Sequence, residues 1–260
     1  MKGYRGRLLR IDLSSSVVED VEIAADELRI YGGGGALATA LLMKLTSARC
    51  DALSADNPFI LATGPATGAA VSGVSRCSAV ALSPLTGAVG ESQAGGMLGP
   101  AIKRAGYDAL VLTGKARAPV WIELGDDGAR IHEAGEIAEL QSSEVFDELE
   151  DRLGGGWTIL QCGPAGMRGV RHACLLAGRN DVFGRTGLGA VLGSKKVRAI
   201  AVNGSKKVEF ADEAALKRLA RAAAGRLAGA SFPATLHAHG TPGVVEYQAE
   251  AGNLAARNPA

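Results

Sequence analysis

Apolar and polar residues alternate in several short segments of the chain, and turns rich in glycine, serine or aspartate separate them. GRLLRIDLSSSVVEDVEI at 6–23 alternates on both sides of Ser14–Ser16, which predicts a β-hairpin. PVWIELGDDGARIHEA at 119–134 predicts a second hairpin, which turns on Asp126–Gly128. Short apolar runs between turn residues predict further strands at 58–65, 75–87, 108–115, 157–164 and 198–204.

Helical patterns lie between these strands. AADELRIYGGGGALATALLMKLT predicts a helix that Gly32–Gly35 interrupt. Shorter helices are expected at 96–105 and 142–153. After Lys206 the pattern changes, since the Ala- and Arg-rich segment 211–229 predicts a helix with no strand beside it.

An internal repeat relates two parts of the strand-rich region. ILATGPA at 60–66 matches ILQCGPA at 159–165, which lies 99 positions later. ALVLTGKA at 109–116 matches AIAVNGSK at 199–206, which lies 90 positions later. Each copy has the order strand, Gly-Pro turn, strand, glycine-rich loop, short helix and strand. Such a duplication predicts two sheets related by a pseudo-two-fold axis.

These patterns together predict an α+β fold in two parts. Residues 1–208 form an internally duplicated, pseudo-two-fold domain of two β-sheets with flanking short helices, and residues 209–260 form the incomplete start of an α-helical domain. The repeat also predicts two equivalent glycine-rich helix entrances, at 94–99 and at 184–189.

The first glycine-rich entrance poses a question, because glycine costs a helix about 1 kcal/mol per position relative to Ala. Gly95, Gly96 and Gly99 all stand there. One explanation is anion binding, since free N–H groups and the macrodipole at a helix N-terminus attract negative charge. The other is close packing of the helix on a sheet, which needs small residues. The sequence leaves both explanations open.

Common phosphate-binding motifs fit these loops poorly. GAVLGSK at 189–195 fails the spacing of a P-loop, because its Ser precedes its Lys. A dinucleotide pattern, G-x-G-x-x-A, occurs at 33–38, but the residues before it predict a helix rather than a strand. Arg76 and Arg185 suit a bidentate contact with phosphate, although each taken alone is better explained as a surface or salt-bridge arginine.

Composition narrows the classes of function. The net charge of +1 and an aromatic content of 4% disfavour nucleic acid as a partner. We expect no membrane span, because no apolar run approaches about 18 residues, and no signal peptide at the N-terminus. The four cysteines are widely spaced and form no C-x-x-C pair, which favours reduced thiols in the cytoplasm.

Five motifs, taken in their order along the chain, resemble those of a known protein family. They are GYRGRLLRIDLSS, ILATGPATG, SRCSAVALSPLTGAVGESQAGGMLGPAIKRAGYDALVLTGKA, ILQCGPAG and GRTGLGAVLGSKKVRAIAVNGSK. Over about residues 3–208 the chain resembles the N-terminal domain of the tungsten-dependent aldehyde ferredoxin oxidoreductase family. The resemblance implies a two-sheet base under a tungsten or molybdenum bis-pterin cofactor, whose phosphates are bridged by magnesium. It also implies oxidation of aldehydes to carboxylic acids with ferredoxin as acceptor, although some relatives reduce aromatic-ring thioesters instead.

By position in these motifs, the resemblance implies cofactor-binding roles for seven residues: Arg76, Gln93, Gly95, Gly96, Val182, Gly184 and Arg185. The backbone carbonyls of Gln93 and Val182 would meet the magnesium ion, and Gly95 would let the backbone approach the cofactor. Asp181 stands where the best-known members have Arg. A carboxylate cannot donate to phosphate, so Arg179 or Arg185 would have to substitute.

The family's iron–sulfur cysteines and acid/base residues lie downstream of this domain, and the chain lacks the C-x-x-C-x-x-x-C run. We therefore expect no catalytic residue here, a [4Fe–4S] cluster only in the missing domains, and an isolated chain that is inactive. The expected partners are the missing catalytic domains or subunit and ferredoxin or an electron-transfer subunit, and an exposed apolar surface favours a homodimer. A non-catalytic pterin- or phosphate-binding scaffold and a nucleotide-binding module at 33–38 are the alternatives.

Overall fold

The computed structural model describes residues 1–254, and contacts within the chain divide it into two compact units. Residues 1–69 and 73–211 form the first unit, and residues 70–72 and 212–254 belong to the second. No helix within residues 1–254 is long and apolar enough to cross a bilayer.

The first unit contains two six-stranded mixed sheets, which confirms the predicted α+β fold with two sheets. The strands of the first sheet are β1 (Arg7–Asp12), β2 (Val17–Glu22), β3 (Phe59–Thr63), β4 (Cys77–Leu82), β5 (Val89–Ala94) and β6 (Ala109–Thr113). Those of the second sheet are β7 (Val120–Gly125), β8 (Gly128–Glu133), β9 (Thr158–Gln161), β10 (Leu175–Ala177), β11 (Asp181–Phe183) and β12 (Val197–Val202).

Short helices flank the sheets, and further helices make up the second unit. The α-helices are α1 (Ala25–Tyr31), α2 (Gly34–Leu45), α3 (Leu98–Ala105), α4 (Ser142–Leu153), α5 (Gly163–Met167), α6 (Leu188–Ser194), α7 (Glu213–Ala228), α8 (Ser231–His239) and α9 (Val245–Glu250). Two 3₁₀ helices cover Gly135–Ala138 and Thr241–Val244. The predicted interruption of the first helical segment is confirmed, because α1 ends at Gly32, where φ is 68°.

The two sheets have the same strand order and the same pairing directions. The first sheet has the order β2-β1-β6-β3-β4-β5, and the second has β8-β7-β12-β9-β10-β11. In each sheet only one pair, β1 with β6 or β7 with β12, is parallel. The structure therefore extends the predicted repeat, because each copy also includes its own hairpin.

The register between strands preserves the duplication residue by residue. Ile60 on β3 pairs with Val111 on β6, and Ile159 on β9 pairs with Ala201 on β12. These pairs are related by the offsets of 99 and 90 positions found in the sequence. The two copies therefore have the same strand register.

Apolar residues on both faces of the central strands build three clusters. The largest cluster joins the inner faces of the two sheets with α3 and α6, and includes Leu110 and Ile200. The neighbouring residue Val111 faces a second cluster, under α1 and α2, and Ala201 faces a third cluster, under α4. This two-sided burial explains why β6 and β12 are continuous apolar runs in the sequence.

The second unit has a different character from the first. No residue in α7, α8 or α9 is buried, whereas the sheets of the first unit are dominated by fully buried residues. Leu219, Phe232 and Tyr247 are each more than 60% exposed. Residues 212–254 thus have large apolar side chains but no core of their own.

Candidate functional site

Strands β5 and β11 meet where the two copies of the repeat adjoin. Each is an edge strand of its own sheet, and the two strands are in contact. The backbone N–H of Arg185, just after β11, donates to Ser92 Oγ on β5 at 3.4 Å. An edge strand keeps one row of backbone groups outside the ladder of its sheet, so both copies bring free backbone donors and acceptors to this junction.

Gln93 and Val182, the two residues implied to offer backbone carbonyls, occupy equivalent positions in the two copies. Gln93 pairs with Ser78 across the β4–β5 ladder, and Val182 pairs with Leu176 across the β10–β11 ladder. Each row of paired residues continues to the next strand of its sheet, which is β3 in the first copy and β9 in the second. The residues reached on β3 and β9 are 99 positions apart, which is the offset of the sequence repeat. Both residues are exposed. A single ligand with two similar halves would therefore meet equivalent backbone atoms in the two copies.

Arg76 and Arg185 present unpaired guanidinium groups. Both side chains are exposed, and within residues 1–254 neither makes a side-chain hydrogen bond or ion pair. Arg76 directly precedes β4, and Arg185 directly follows Gly184 in the second glycine-rich loop. Because a free guanidinium suits bidentate contact with phosphate oxygens, these two side chains are suited to bind an anionic ligand at the junction.

Arg179, one of the two residues expected to substitute for the arginine that Asp181 replaces, is engaged with two carboxylates of α4. Its guanidinium contacts Asp147 Oδ1 and Glu150 Oε2, each at 2.7 Å, and lies 5.6 Å from the centre of the Phe146 ring. The hydrogen bonds from Asp147 and Glu150 raise the pKa of Arg179. Of the two substitutes considered from the sequence, only Arg185 has a free side chain.

Asp181 reaches across to the glycine-rich loop of the other copy. A Cβ added to Gly96 would lie 2.1 Å from Asp181 Oδ2, and one added to Gly95 would lie 3.5 Å from Oδ1. Gly96 also has a φ of 71°, in the left-handed region that favours glycine. Asp181 is half-buried and, within residues 1–254, makes no side-chain hydrogen bond or ion pair. Spacing along the chain gave no sign of this contact, because it depends on how the two copies pack.

The glycines at the two helix entrances serve different purposes. A Cβ at Gly99 would lie 2.7 Å from the backbone oxygen of Ser75, and one at Gly189 would lie 2.2 Å from that of Cys174. These two glycines therefore allow close packing of α3 and α6. Gly95 and Gly184 instead border the junction of the copies, where a Cβ would meet only side-chain atoms, at 3.5 Å or more. Close packing thus explains Gly99 and Gly189, and anion binding stays a prediction for Gly95 and Gly184.

The G-x-G-x-x-A pattern at 33–38 is not a dinucleotide loop. It follows helix α1 instead of a strand, and Glu91 fills the space beside it. A Cβ at Gly35 would lie 2.1 Å from Glu91 Oε1, the oxygen that accepts hydrogen bonds from Ser78 Oγ at 3.1 Å and Gln93 Nε2 at 2.9 Å. A carboxylate in this place repels phosphate, which removes the physical basis of the pattern.

Side chains alone do not form a metal site within residues 1–254. In that range there is no group of three or more His, Cys, Asp or Glu side chains placed to hold a metal ion. The four cysteines are free, and burial raises the pKa of Cys77 and Cys162 to about 12. A metal ion held by these residues would therefore need backbone oxygens or groups that a ligand brings, in addition to any single side chain.

A cavity of about 670 Å³ lies away from the predicted site residues, beside the two hairpins. Its lining includes Leu13, Val18, Arg117, Ile131 and His132. None of the seven residues implied by the resemblance lines it. Size alone therefore does not identify the candidate site, which is defined by the junction of β5 and β11.

Comparison with known proteins assigns the chain to a family. The family model for the N-terminal domain of aldehyde ferredoxin oxidoreductase matches residues 8–204. The chain belongs to the aldehyde ferredoxin oxidoreductase family. The resemblance expected from the sequence is thereby confirmed, and the matched range covers both copies of the repeat.

Several relatives of this family member are tungsten enzymes or subunits of related enzymes. The tungsten-containing aldehyde ferredoxin oxidoreductase of Pyrococcus furiosus is 37% identical over 214 residues, which are 82% of this chain and 35% of that protein. The aliphatic sulfonate oxidoreductase, WOR-like subunit, of the same organism is 32% identical and is covered to 38%. The chain thus spans about a third of the length of these relatives.

A solved structure has the same fold. The active site complex BamBC of Benzoyl Coenzyme A reductase, in complex with 1,5 Dienoyl-CoA, superposes with a TM-score of 0.77 and 27% identity. The match covers 80% of this chain and 32% of that chain. The duplicated two-sheet fold of this family member therefore also occurs in the active site complex of a different oxidoreductase.

Proposed function

We propose that residues 1–208 form the base that holds a tungsten or molybdenum bis-pterin cofactor in an enzyme that oxidises aldehydes to carboxylic acids. The observation that carries the proposal is the equivalence of Gln93 and Val182 on two adjoining edge strands. A cofactor with two pterins has two similar phosphorylated halves, and this junction offers each half the same strand position. Family membership supports the choice of cofactor.

The residues at the junction fit such a group. Gly95 and Gly184 leave backbone atoms accessible, and the exposed side chains of Arg76 and Arg185 are free to contact phosphate oxygens. The backbone carbonyls of Gln93 and Val182 are the hard oxygen donors that Mg²⁺ prefers. When bound, the cofactor would supply the two-electron redox chemistry at its metal. The chain itself would bind and orient the group.

The other parts of the activity lie outside these residues. We propose that the [4Fe–4S] cluster, the acid/base residues and the contact with ferredoxin or an electron-transfer subunit belong to catalytic domains or to a subunit beyond this chain. The chain spans about a third of its relatives, which supports this division. Residues 209–260 would begin the helical second domain, and their exposed apolar side chains favour association with those domains or a homodimer.

We also propose that the protein is located in the cytoplasm. The four cysteines are free thiols, as expected of a protein in a reducing compartment. The alternative is a pterin- or phosphate-binding scaffold without catalysis, which would use the same junction but hold no redox-active metal. The two functions differ in metal content, so a measurement on the isolated protein separates them.

The test uses the protein purified from its own cells with any subunit that accompanies it. We expect one tungsten or molybdenum and two pterins per chain, measured by mass spectrometry of the metal and by fluorescence of the oxidised pterin. Pterin without either metal would favour the scaffold, and bound nucleotide without pterin would refute both functions. Aldehyde oxidation with ferredoxin or a viologen dye then tests the reaction.

The site itself is tested with the double variant Arg76→Ala/Arg185→Ala. Loss of two charge-assisted contacts, at about 1.5–3 kcal/mol each, predicts at least a tenfold fall in retained pterin. The matched control is Arg117→Ala, which removes another exposed arginine without a side-chain partner within residues 1–254, beside the hairpins. Equal pterin content in the double variant and the control would contradict the assignment of the two arginines.

A further inference from the structure

Asp181 combines three properties that together need an explanation. It is half-buried, its carboxylate is unpaired within residues 1–254, and it lies against Gly95 and Gly96 of the other copy. Val182 follows it directly, and Gly95 is two residues after Gln93. Asp181 is therefore next to one of the two residues in the chain, and it contacts a loop that begins two residues after the other.

The charge of Asp181 conflicts with a phosphate ligand unless a cation lies between them. A carboxylate repels phosphate oxygens, and burial strengthens that repulsion because it lowers the local dielectric constant. The same carboxylate attracts a divalent cation, for which carboxylate, carbonyl and phosphate oxygens are suitable ligands. Ser92, the equivalent residue of the first copy, is neutral and already accepts a hydrogen bond from Arg185. Of these two equivalent positions, only that of Asp181 has a carboxylate.

We propose that Asp181 is a ligand, directly or through one water, of the divalent cation at the junction of the two copies, and that phosphate binding by this chain requires that cation. The inference rests on the proposed function for the identity of the phosphate ligand. It adds a cation-binding side chain to a site otherwise built from backbone carbonyls and arginines. It also explains why an acidic residue is compatible with a phosphate site at this position.

The first test measures Mn²⁺, a spectroscopic substitute for Mg²⁺. The full protein is treated with a chelator, supplied with inorganic pyrophosphate, and titrated with Mn²⁺ while free Mn²⁺ is followed by electron paramagnetic resonance. We expect Asp181→Asn to bind Mn²⁺ at least tenfold more weakly than the wild type. Asp127→Asn, which removes an exposed carboxylate from the β7–β8 turn, should bind like the wild type. Equal affinity in the wild type and Asp181→Asn, or no binding by the wild type, would overturn the inference.

The second test follows the cofactor rather than the cation. Dialysis of the isolated protein against EDTA should lower the pterin content of the wild type at least tenfold. Asp181→Arg should retain its pterin under the same treatment, because a guanidinium contacts phosphate without a cation. Equal losses from the two proteins would contradict the inference. Wild-type protein isolated without pterin would refute the proposed function, and the Mn²⁺ titration would still decide the cation site.

Discussion

Ser83 Oγ donates a hydrogen bond of 2.7 Å to the backbone oxygen of Thr186, 103 positions away in the other copy of the repeat. Ser83 is fully buried, and its hydroxyl also accepts from the backbone N–H groups of Leu85 and Thr86 at 3.2 Å. Thr186 has a φ of 66°, which is unfavourable for a β-branched residue. The Ser83 hydroxyl therefore fixes the loop that carries Arg185 against the first copy.

Removal of this hydroxyl should weaken the junction of the two copies. Ser83→Ala leaves three backbone groups without their partner, so we expect a loss of about 1–3 kcal/mol in the free energy of unfolding. Ser194→Ala is the control, because Ser194 Oγ bonds only to Val191 O within its own helix, at 2.8 Å. Urea unfolding of both variants measures the difference, and equal losses would contradict a special role for Ser83.

Two glycines with the same φ allow the cost of backbone strain to be measured separately from the cost of a steric collision. Gly87 and Gly187 both have a φ of 72°, but an added Cβ meets nothing within 4 Å at Gly87 and lies 1.9 Å from Arg171 O at Gly187. Gly87→Ala should cost about 1–2 kcal/mol, which is the penalty of the left-handed conformation alone. Gly187→Ala adds a collision with backbone and should cost several kcal/mol more, at the severe end of single substitutions. Urea unfolding of the pair gives both values, and similar losses would argue against the close approach.

Local patterns predicted most of the strands, the two hairpins and the duplication, because these depend on alternation and on turn residues. They did not predict the edge strands β5 and β11, which form the junction of the two copies. The sequence did not reveal that the hairpins belong to the repeat, since β1 and β7 are equivalent in pairing but not in sequence. It also did not reveal that Asp181 meets Gly96, or that Glu91 fills the space beside Gly35. Those contacts join residues that are distant along the chain, and packing alone brings them together.

The four thiols should react in two classes. Cys77 and Cys162 are fully buried, and burial raises the pKa of each thiol to about 12, so that the reactive thiolate is scarce at neutral pH. Cys50 and Cys174 are partly exposed. At pH 7.5 we expect alkylation of Cys50 and Cys174 at least about a hundredfold faster, because burial both shields Cys77 and Cys162 from the reagent and suppresses their thiolate form.

Mass mapping of the alkylated peptides identifies which thiols have reacted. In urea all four cysteines should react at similar rates, which is the control for intrinsic reactivity. Alkylation of Cys77 or Cys162 in the folded protein at the rate of Cys50 would contradict the burial seen here.

The buried side chain of Lys195 should make the stability of the protein rise with pH in the alkaline range. This side chain is fully buried, and Nζ donates to Ala55 O at 3.1 Å and Gly114 O at 2.9 Å. Burial lowers the pKa of Lys195 from 10.5 to about 8, although the negative charges of Cys50, Asp56 and Asp12 act to raise it. Below pH 8 the ammonium is charged in both the folded and the unfolded protein, and folding carries the full cost of burying it.

Between pH 8 and 10.5 the unfolded chain binds more protons at this lysine than the folded protein, so the contribution of Lys195 to stability rises with pH. Relative to Lys195→Met, the wild type should gain about 3 kcal/mol in the free energy of unfolding over this range. The buried thiols and tyrosines titrate in both proteins, so their effects cancel in the difference. The lost hydrogen bonds to Ala55 and Gly114 shift the difference by a constant and leave its slope intact. Urea unfolding at four pH values measures the slope, and a difference independent of pH would show that the lysine is not protonated differently in the two states.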